Sequence, residues 1–126
     1  RVMWSGTLGS TAVRQRLAVA DLFVWPAVNE AFGMAVLEAQ ASGLPVVAGA
    51  SGGLGEIVVQ EVTGLLVPPG DMPGFAAAVR KLIVDGRSRA AFSEAAREHI
   101  RQEHDLSAAA PRLAAVMDRV RRARRG

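Results

Sequence analysis

The sequence lacks cysteine and tyrosine altogether, and its aromatic residues are four phenylalanines and two tryptophans. Without cysteine the chain forms no disulfide scaffold, no thiolate-ligated zinc site and no thiol nucleophile. It also has no hydrophobic run near the roughly 20 residues that a membrane-crossing helix needs. Half of its 126 residues are nevertheless hydrophobic. The sequence therefore predicts a globular domain with a core of alanine, valine and leucine rather than a disordered chain.

Lysine is also scarce, since Lys81 is the only one among fifteen basic residues. We interpret this bias, together with the many alanines and glycines, as the coding preference of a GC-rich bacterial genome. Residues 1–79 carry three basic and six acidic residues, whereas residues 80–126 carry twelve and six. The net charge of +3 therefore arises in the C-terminal part.

Five arginines lie between residues 119 and 125. We interpret them as a solvated helix end whose cations suit the helix dipole. Peripheral attraction to anionic lipid is the alternative. Nucleic-acid binding is not predicted, because no aromatic residues are interleaved and no reader motif is present.

Short hydrophobic segments alternate with helical patterns along the chain, which is typical of an α/β fold with a mostly parallel sheet. We predict a partial Rossmann-like sheet of three or four strands in residues 1–86 and a helical extension in residues 87–126. The predicted strands are Val2–Trp4, Leu22–Trp25 (buried on both faces), Pro45–Ala48 and Leu65–Val67. The predicted helices cover residues 10–20, 33–41, 56–60, 71–85 and 88–104, with a last helix that starts at Asp105 or Ser107.

The stretch from Ala20 to Ala48 is the most informative, because it combines a buried strand, a loop, a helix and a second strand. The loop Ala27–Phe32 follows the carboxyl end of a strand, where open α/β sheets bind ligands. The helix after it starts near Gly33 with free amides that favour an anion. Glu30 and Glu38 repel phosphate, so they are better suited to accept hydrogen bonds from hydroxyls. The pattern predicts a ligand that carries both phosphate and sugar.

These segments resemble the retaining glycosyltransferases of the GT-B fold, fourth sequence family, often called group 1. The resemblance is carried by Glu30, seven residues and then Glu38, within EAFGMAVLEAQASGLPVVA. It extends upstream to ADLFVWP and downstream to GGLGEIV and TGLLVPPGD, so it covers about residues 2–100. Ala27 and Ala31 depart from the frequent Ser and Pro, which removes no side chain that the chemistry requires.

The resemblance implies a donor site in the C-terminal domain. Glu38 would bind the ribose hydroxyls, and Glu30 would contact the transferred sugar as the catalytic residue. Phe32 and the amides of Gly33, Met34 and Ala35 would face the diphosphate and sugar, while Thr7 and Leu8 would contact the base. The family needs no metal and no cofactor besides its nucleotide-sugar substrate. It also implies a cytoplasmic protein, with peripheral contact at the inner membrane face as an alternative.

The resemblance also implies missing parts, namely the upstream half of this domain and the N-terminal acceptor domain. Val2–Trp4 and Leu22–Trp25 would be separated in the sheet by two strands that the chain lacks. The exposed, hydrophobic inner edge of Leu22–Trp25 then predicts a fragment or a homodimer through that edge. The missing acceptor domain and diphosphate-binding cations predict that the isolated chain is inactive.

Other interpretations stay open beside the donor site. Glu30 alone fits a carboxylate that complements a helix start, and Glu38 alone fits a solvated helix face. Glu56 braces the Gly52–Gly53 loop or belongs to the donor site. The whole chain is alternatively a non-catalytic binding or dimerisation module of the same fold, or a relative of the GT-B epimerases and phosphorylases.

Overall fold

A computed structural model of the chain describes residues 1–26 and 33–103, together with residues 119, 122 and 123. Short strands and helices alternate along this part, which confirms the α/β class. The elements are α1 (Ser10–Val19), β1 (Phe23–Trp25), α2 (Met34–Ala41), β2 (Val46–Gly49), α3 (Leu54–Ile57), β3 (Gly64–Val67), α4 (Met72–Val84) and α5 (Gly86–Glu103).

The three strands form a parallel sheet in the order β1-β2-β3. Val47 of β2 is aligned with Val24 of β1 and Leu65 of β3. All four residues of β2 are buried, as expected for the central strand of a parallel sheet covered on both faces. The predicted strands at residues 45–48 and 65–67 are thereby confirmed to within one residue.

The hydrophobic core is divided by the sheet into two clusters. Val46 and Ala48 of β2 belong to one cluster with residues of α1, α2 and α3, whereas Val47 belongs to the other with residues of β3 and α4. This alternation follows from the two-residue period of a strand. Helix α5 contributes Phe92 to one cluster and Ile100 to the other. The division of the chain at residue 86 stays a prediction.

The predicted strand Val2–Trp4 is wrong. These residues have no regular secondary structure, and Trp4 is 94% exposed. The reason is that a β-prone tripeptide is stable only when a neighbouring strand pairs with it. No strand in the described part of the chain does so. Thr7 and Leu8 therefore follow an extended segment and not a strand.

The segment Leu22–Trp25 forms β1, but not as a strand buried on both faces. Phe23 and Trp25 are half-buried against the core and their rings stack at 5.9 Å. Val24 between them is 44% exposed. Within the described residues β1 pairs only with β2, so β1 is an edge strand. This agrees with the prediction that one edge of Leu22–Trp25 is unpaired.

Two helix boundaries differ from the prediction. Helix α3 begins earlier, at Leu54, and Gln60 instead forms a bridge with Gly64. Helix α5 begins directly after Asp85, because this residue ends α4 and also caps α5. The predicted last helix falls outside the described ranges, apart from three helical positions at 119, 122 and 123. No helix in the described part is long and apolar enough to span a membrane.

Candidate functional site

Helix α2 starts at the predicted anion site, and Gly33 defines its first turn. Gly33 has a left-handed conformation with φ of 61°, which side chains other than hydrogen rarely adopt. A Cβ on Gly33 would lie 2.5 Å from Leu54 Cδ2 and 2.8 Å from Ile57 Cδ1. The sequence pattern related Gly33 only to an anion site at the helix start. The structure shows that α3 packs where a side chain would be.

The N-terminal amides of α2 are oriented for an anion. The first main-chain bond of the helix runs from Leu37 N to Gly33 O at 2.8 Å. The amides of Met34 and Ala35 therefore have no acceptor within the helix. Gly33, the N-cap residue, has no side chain to cap this end, and no acidic residue lies in the first turn of α2. The helix dipole adds partial positive charge here, so the turn can hold a phosphate oxygen.

Glu38 lies one turn further along the same helix. Its side chain is exposed and shares a face with Met34, because residues four apart on a helix are neighbours. The Glu38 carboxylate has no hydrogen bond or ion pair to any residue of the described part. None of its acceptor sites is used by a described residue, so they are available to hydroxyl groups of a ligand.

The remaining predicted site residues are less completely defined. Glu30 and Phe32 lie outside the described residues. Thr7 is exposed and Leu8 is half-buried in the segment before α1, and their contact with a base stays a prediction. Glu56 is exposed on α3, the helix that follows the turn containing Gly52. Within residues 1–26 and 33–103 no cluster of His, Asp and Glu is arranged to hold a metal ion.

A buried polar pair below the site was not predicted. Gln40 and Thr63 are fully buried, and Gln40 Nε2 donates to Thr63 Oγ1 at 2.9 Å. Thr63 Oγ1 also accepts from Val59 N at 2.9 Å, so the pair joins α2 to the turn before β3. Gln40 Oε1 has no partner among the described residues. The available signal was a polar residue on the apolar face of α2.

Comparison with known proteins identifies the family. Residues 1–99 match the family described as Glycosyl transferases group 1. The chain belongs to this family. Among its curated relatives, sulfoquinovosyl transferase SQD2 from Arabidopsis thaliana is 37% identical over 114 residues, which are 88% of this chain and 22% of SQD2.

Solved structures of group 1 and related glycosyltransferases share the fold. Sucrose-phosphate synthase from Thermosynechococcus elongatus superposes with a TM-score of 0.83 at 31% identity, over 98% of this chain and 31% of its own. The C-terminal domain of LpcC from Francisella tularensis gives 0.73 at 26% identity, with 80% of this chain and 52% of that domain covered. The chain thus corresponds to part of a GT-B glycosyltransferase C-terminal domain.

A third neighbour has been solved with nucleotide ligands. HepE from Anabaena, in complex with UDP, superposes with a TM-score of 0.72 at 30% identity over 82% of this chain and 29% of its own. HepE has also been solved with UDP-glucose. The chain spans about a fifth to a third of the length of SQD2, sucrose-phosphate synthase and HepE.

Proposed function

We propose that this chain forms the donor-binding part of a retaining glycosyltransferase. Its reaction moves a hexose from a nucleoside-diphosphate sugar to a hydroxyl acceptor and keeps the anomeric configuration. The observation that carries the proposal is the start of α2, where the amides of Met34 and Ala35 have no acceptor within the helix, with Glu38 one turn away and its carboxylate without a partner among the described residues. Both lie within the part of the chain that matches the family.

The diphosphate is bound at the start of α2. The amides of Met34 and Ala35, together with Gly33 and Phe32, face the phosphates and the sugar. Fixed amide dipoles stabilise the negative charge that develops on the leaving diphosphate. The start of α2 thereby stabilises the charge of the leaving diphosphate, a role that metal ions have in other enzymes.

Glu38 binds the ribose. Four residues of helix rise about 6 Å, so a ribose attached to a phosphate at the first turn lies beside the Glu38 carboxylate. An ionised carboxylate accepts hydrogen bonds only, which suits a pair of vicinal hydroxyls. Glu30 contacts the hydroxyls of the transferred hexose, and Thr7 and Leu8 contact the base.

Calorimetric titration with UDP tests this assignment, because a neighbour of the same fold binds UDP. We expect binding by the wild-type chain and at least a tenfold loss in Glu38→Gln, which corresponds to about 1.4 kcal/mol. Glu94→Gln on the exposed face of α5 is the matched control and should bind normally. Wild-type affinity in Glu38→Gln contradicts the assigned role. Titration with ADP and GDP identifies the base.

We expect the 126-residue chain by itself not to transfer sugar, because it spans only 22% of the length of SQD2. Incubation with UDP-glucose and measurement of released UDP checks this. Turnover above the level of a heat-denatured sample contradicts it.

A second candidate function is a non-catalytic module that dimerises through the edge of β1. Phe23 N donates to Pro45 O on the segment leading into β2 at 3.0 Å. Since successive residues of a strand point their main-chain groups to opposite sides, the N–H and C=O of Val24 point away from β2. In contrast, the outer side of β3 is occupied, because Gln60 accepts from Leu66 N at 2.6 Å and donates to Leu66 O at 3.3 Å.

Light scattering at several concentrations tests the second candidate. Val24→Pro removes the outward amide but no bond to β2, so it should convert a dimer to a monomer. Val24→Thr keeps the amide and a similar shape, and should remain dimeric. A wild-type chain that is monomeric at high concentration contradicts dimerisation.

A further inference from the structure

The C-terminal end of α2 is held by two side chains of α5. Gly43, just after the helix, has φ of 78°, and the guanidinium of Arg97 lies against its α-carbon. A Cβ on Gly43 would lie 2.5 Å from Arg97 Cζ and 2.6 Å from Arg97 Nη2. Ser93 lies one helical turn before Arg97, and its hydroxyl donates to Gly43 O. We call these three residues the Gly43 clamp.

The clamp closes a tightly bonded helix end. Ser42 N donates to Glu38 O and Ala39 O, both at 3.1 Å, and Gly43 N donates to Gln40 O at 2.9 Å. A left-handed glycine that follows a helix and satisfies its last carbonyls is a common helix ending. The carbonyl end of a helix carries partial negative charge, so the Arg97 cation is favourable there.

Arg97 differs from the neighbouring arginines of α5 in its hydrogen bonds and ion pairs. Arg89 donates to Leu82 O and Ile83 O at 2.8 and 2.7 Å, and Arg101 forms an ion pair with Glu98 at 3.0 Å. The Arg97 guanidinium has no hydrogen bond or ion pair to any described residue. Its guanidinium instead packs against Gly43.

Helix α2 is thus fixed at both ends through glycine. Gly33 packs on Leu54 and Ile57 of α3, and Gly43 packs on Arg97 of α5. The helix has eight residues, so its ends are about 12 Å apart. Helices of this length are unstable in isolation, and their placement depends on such contacts. A shift of α2 at Gly43 would therefore also move its other end at Gly33.

We propose that Arg97 and Ser93 are positioning residues of the donor site. They hold α2 so that its N-terminal amides and Glu38 face the nucleotide together. This inference rests on the proposed donor-binding function. It adds that part of the nucleotide affinity depends on α5 residues that touch the opposite end of α2.

Hydrogen–deuterium exchange of the free protein is the first test, with Arg97→Ala, Arg97→Lys and the control Arg101→Ala, which removes the same charge from the same helix. We expect Arg97→Ala to speed exchange in α2 and residues 42–45 while β3 and α4 keep wild-type rates. Arg97→Lys, which keeps the charge and the alkyl stem, should restore part of the protection. If Arg97→Ala speeds exchange throughout the chain, or does not speed it in α2, the clamp is rejected.

Titration with UDP is the second test. Arg97→Ala should weaken UDP binding about fivefold, the lower end of coupling between distant sites. Ser93→Ala should act in the same direction, and Arg101→Ala should leave the affinity unchanged. Unchanged UDP affinity in Arg97→Ala, with normal binding by the wild type, overturns the positioning role.

The two tests separate failure of the inference from failure of the proposed function. If the wild-type chain binds none of UDP, ADP and GDP, the donor-binding function is contradicted and the positioning role falls with it. The exchange data then still decide whether Arg97 holds α2. If UDP binds and only the exchange pattern is uniform, the function stands and the clamp is rejected.

Discussion

Gly33 and Leu54 are packed so closely that a methyl group on Gly33 would lie 2.5 Å from Leu54 Cδ2. Leu54 is completely buried, so it cannot move aside as an exposed side chain would. Gly33→Ala should therefore combine left-handed strain of about 1–2 kcal/mol with overpacking of about 1–3 kcal/mol. Chemical denaturation should show a loss of free energy of unfolding of about 2–5 kcal/mol.

Two other glycines separate these contributions. Gly70 has φ of 84° and no atom within 4 Å of the place that a methyl group would occupy, so Gly70→Ala should show the strain alone. Gly55 lies inside α3 with equally open space and no positive φ, so Gly55→Ala should stabilise by up to about 1 kcal/mol. Equal losses in Gly33→Ala and Gly70→Ala would mean that the contact with Leu54 contributes nothing.

The buried pair of Gln40 and Thr63 should respond unequally to substitution. Thr63→Val keeps the shape but leaves Val59 N and Gln40 Nε2 without their common acceptor. An unsatisfied buried donor costs about 1–3 kcal/mol. The free energy of unfolding of Thr63→Val should therefore fall by at least about 1 kcal/mol.

Gln40→Met at the same site removes an amide whose oxygen has no partner in the described part of the chain. Thr63 still accepts from Val59 N, and methionine fits irregular gaps. We therefore expect a change within about 1 kcal/mol, in either direction. Denaturation of both variants measures the difference, and a larger loss in Gln40→Met than in Thr63→Val would contradict this order.

Asp85 should make the junction of α4 and α5 sensitive to acid. Its carboxylate accepts from Ser88 Oγ at 2.6 Å and from Ser88 N at 3.0 Å, and these bonds lower the pKa of Asp85 below the usual 3.8. Because the folded-state pKa is the lower one, the stabilisation is complete above about pH 4 and is lost as the pH falls through the folded-state value.

Thermal melts between about pH 2 and pH 6 measure this effect. The wild-type Tm should drop more steeply below about pH 4 than that of Asp85→Asn, which still accepts a hydrogen bond from Ser88 but does not titrate. Ser88→Ala should reduce the difference between the two slopes, since the Ser88 hydroxyl is the largest cause of the pKa shift. Parallel pH profiles for wild type and Asp85→Asn would show that other carboxylates account for the acid sensitivity.

The sequence predicted those elements whose pattern and boundaries are both local. Hydrophobic runs bounded by Pro or Gly predicted β2 and β3, and Asp71 predicted the start of α4, where it accepts from Gly74 N. Val2–Trp4 could not be predicted correctly, because strand formation depends on a neighbour and not on the tripeptide alone. Asp85 was assigned to a helix end only, although it also caps the helix that follows.

The candidate site, like the fold, was predicted only in part from the sequence. The motif around Glu38 and the start of α2 were visible in the sequence, since the resemblance extends over many residues. The packing reason for Gly33 and the contact between Gly43 and Arg97 were not, because they join residues that are far apart along the chain. Periodicity reports which face of a helix is buried, but not which side chain lies against it.

The unequal edges of the sheet limit how copies of the chain can associate. The side-chain amide of Gln60 forms hydrogen bonds with Leu66 N and O, as a neighbouring strand would. The outward main-chain groups of Val24 are not paired with any described strand. A chain with two bare edges can add copies without end and form a fibre. With one bare edge, assembly by strand pairing closes on itself after two copies. We therefore expect replacement of Gln60 to uncover the outer edge of β3 and to favour polymerisation.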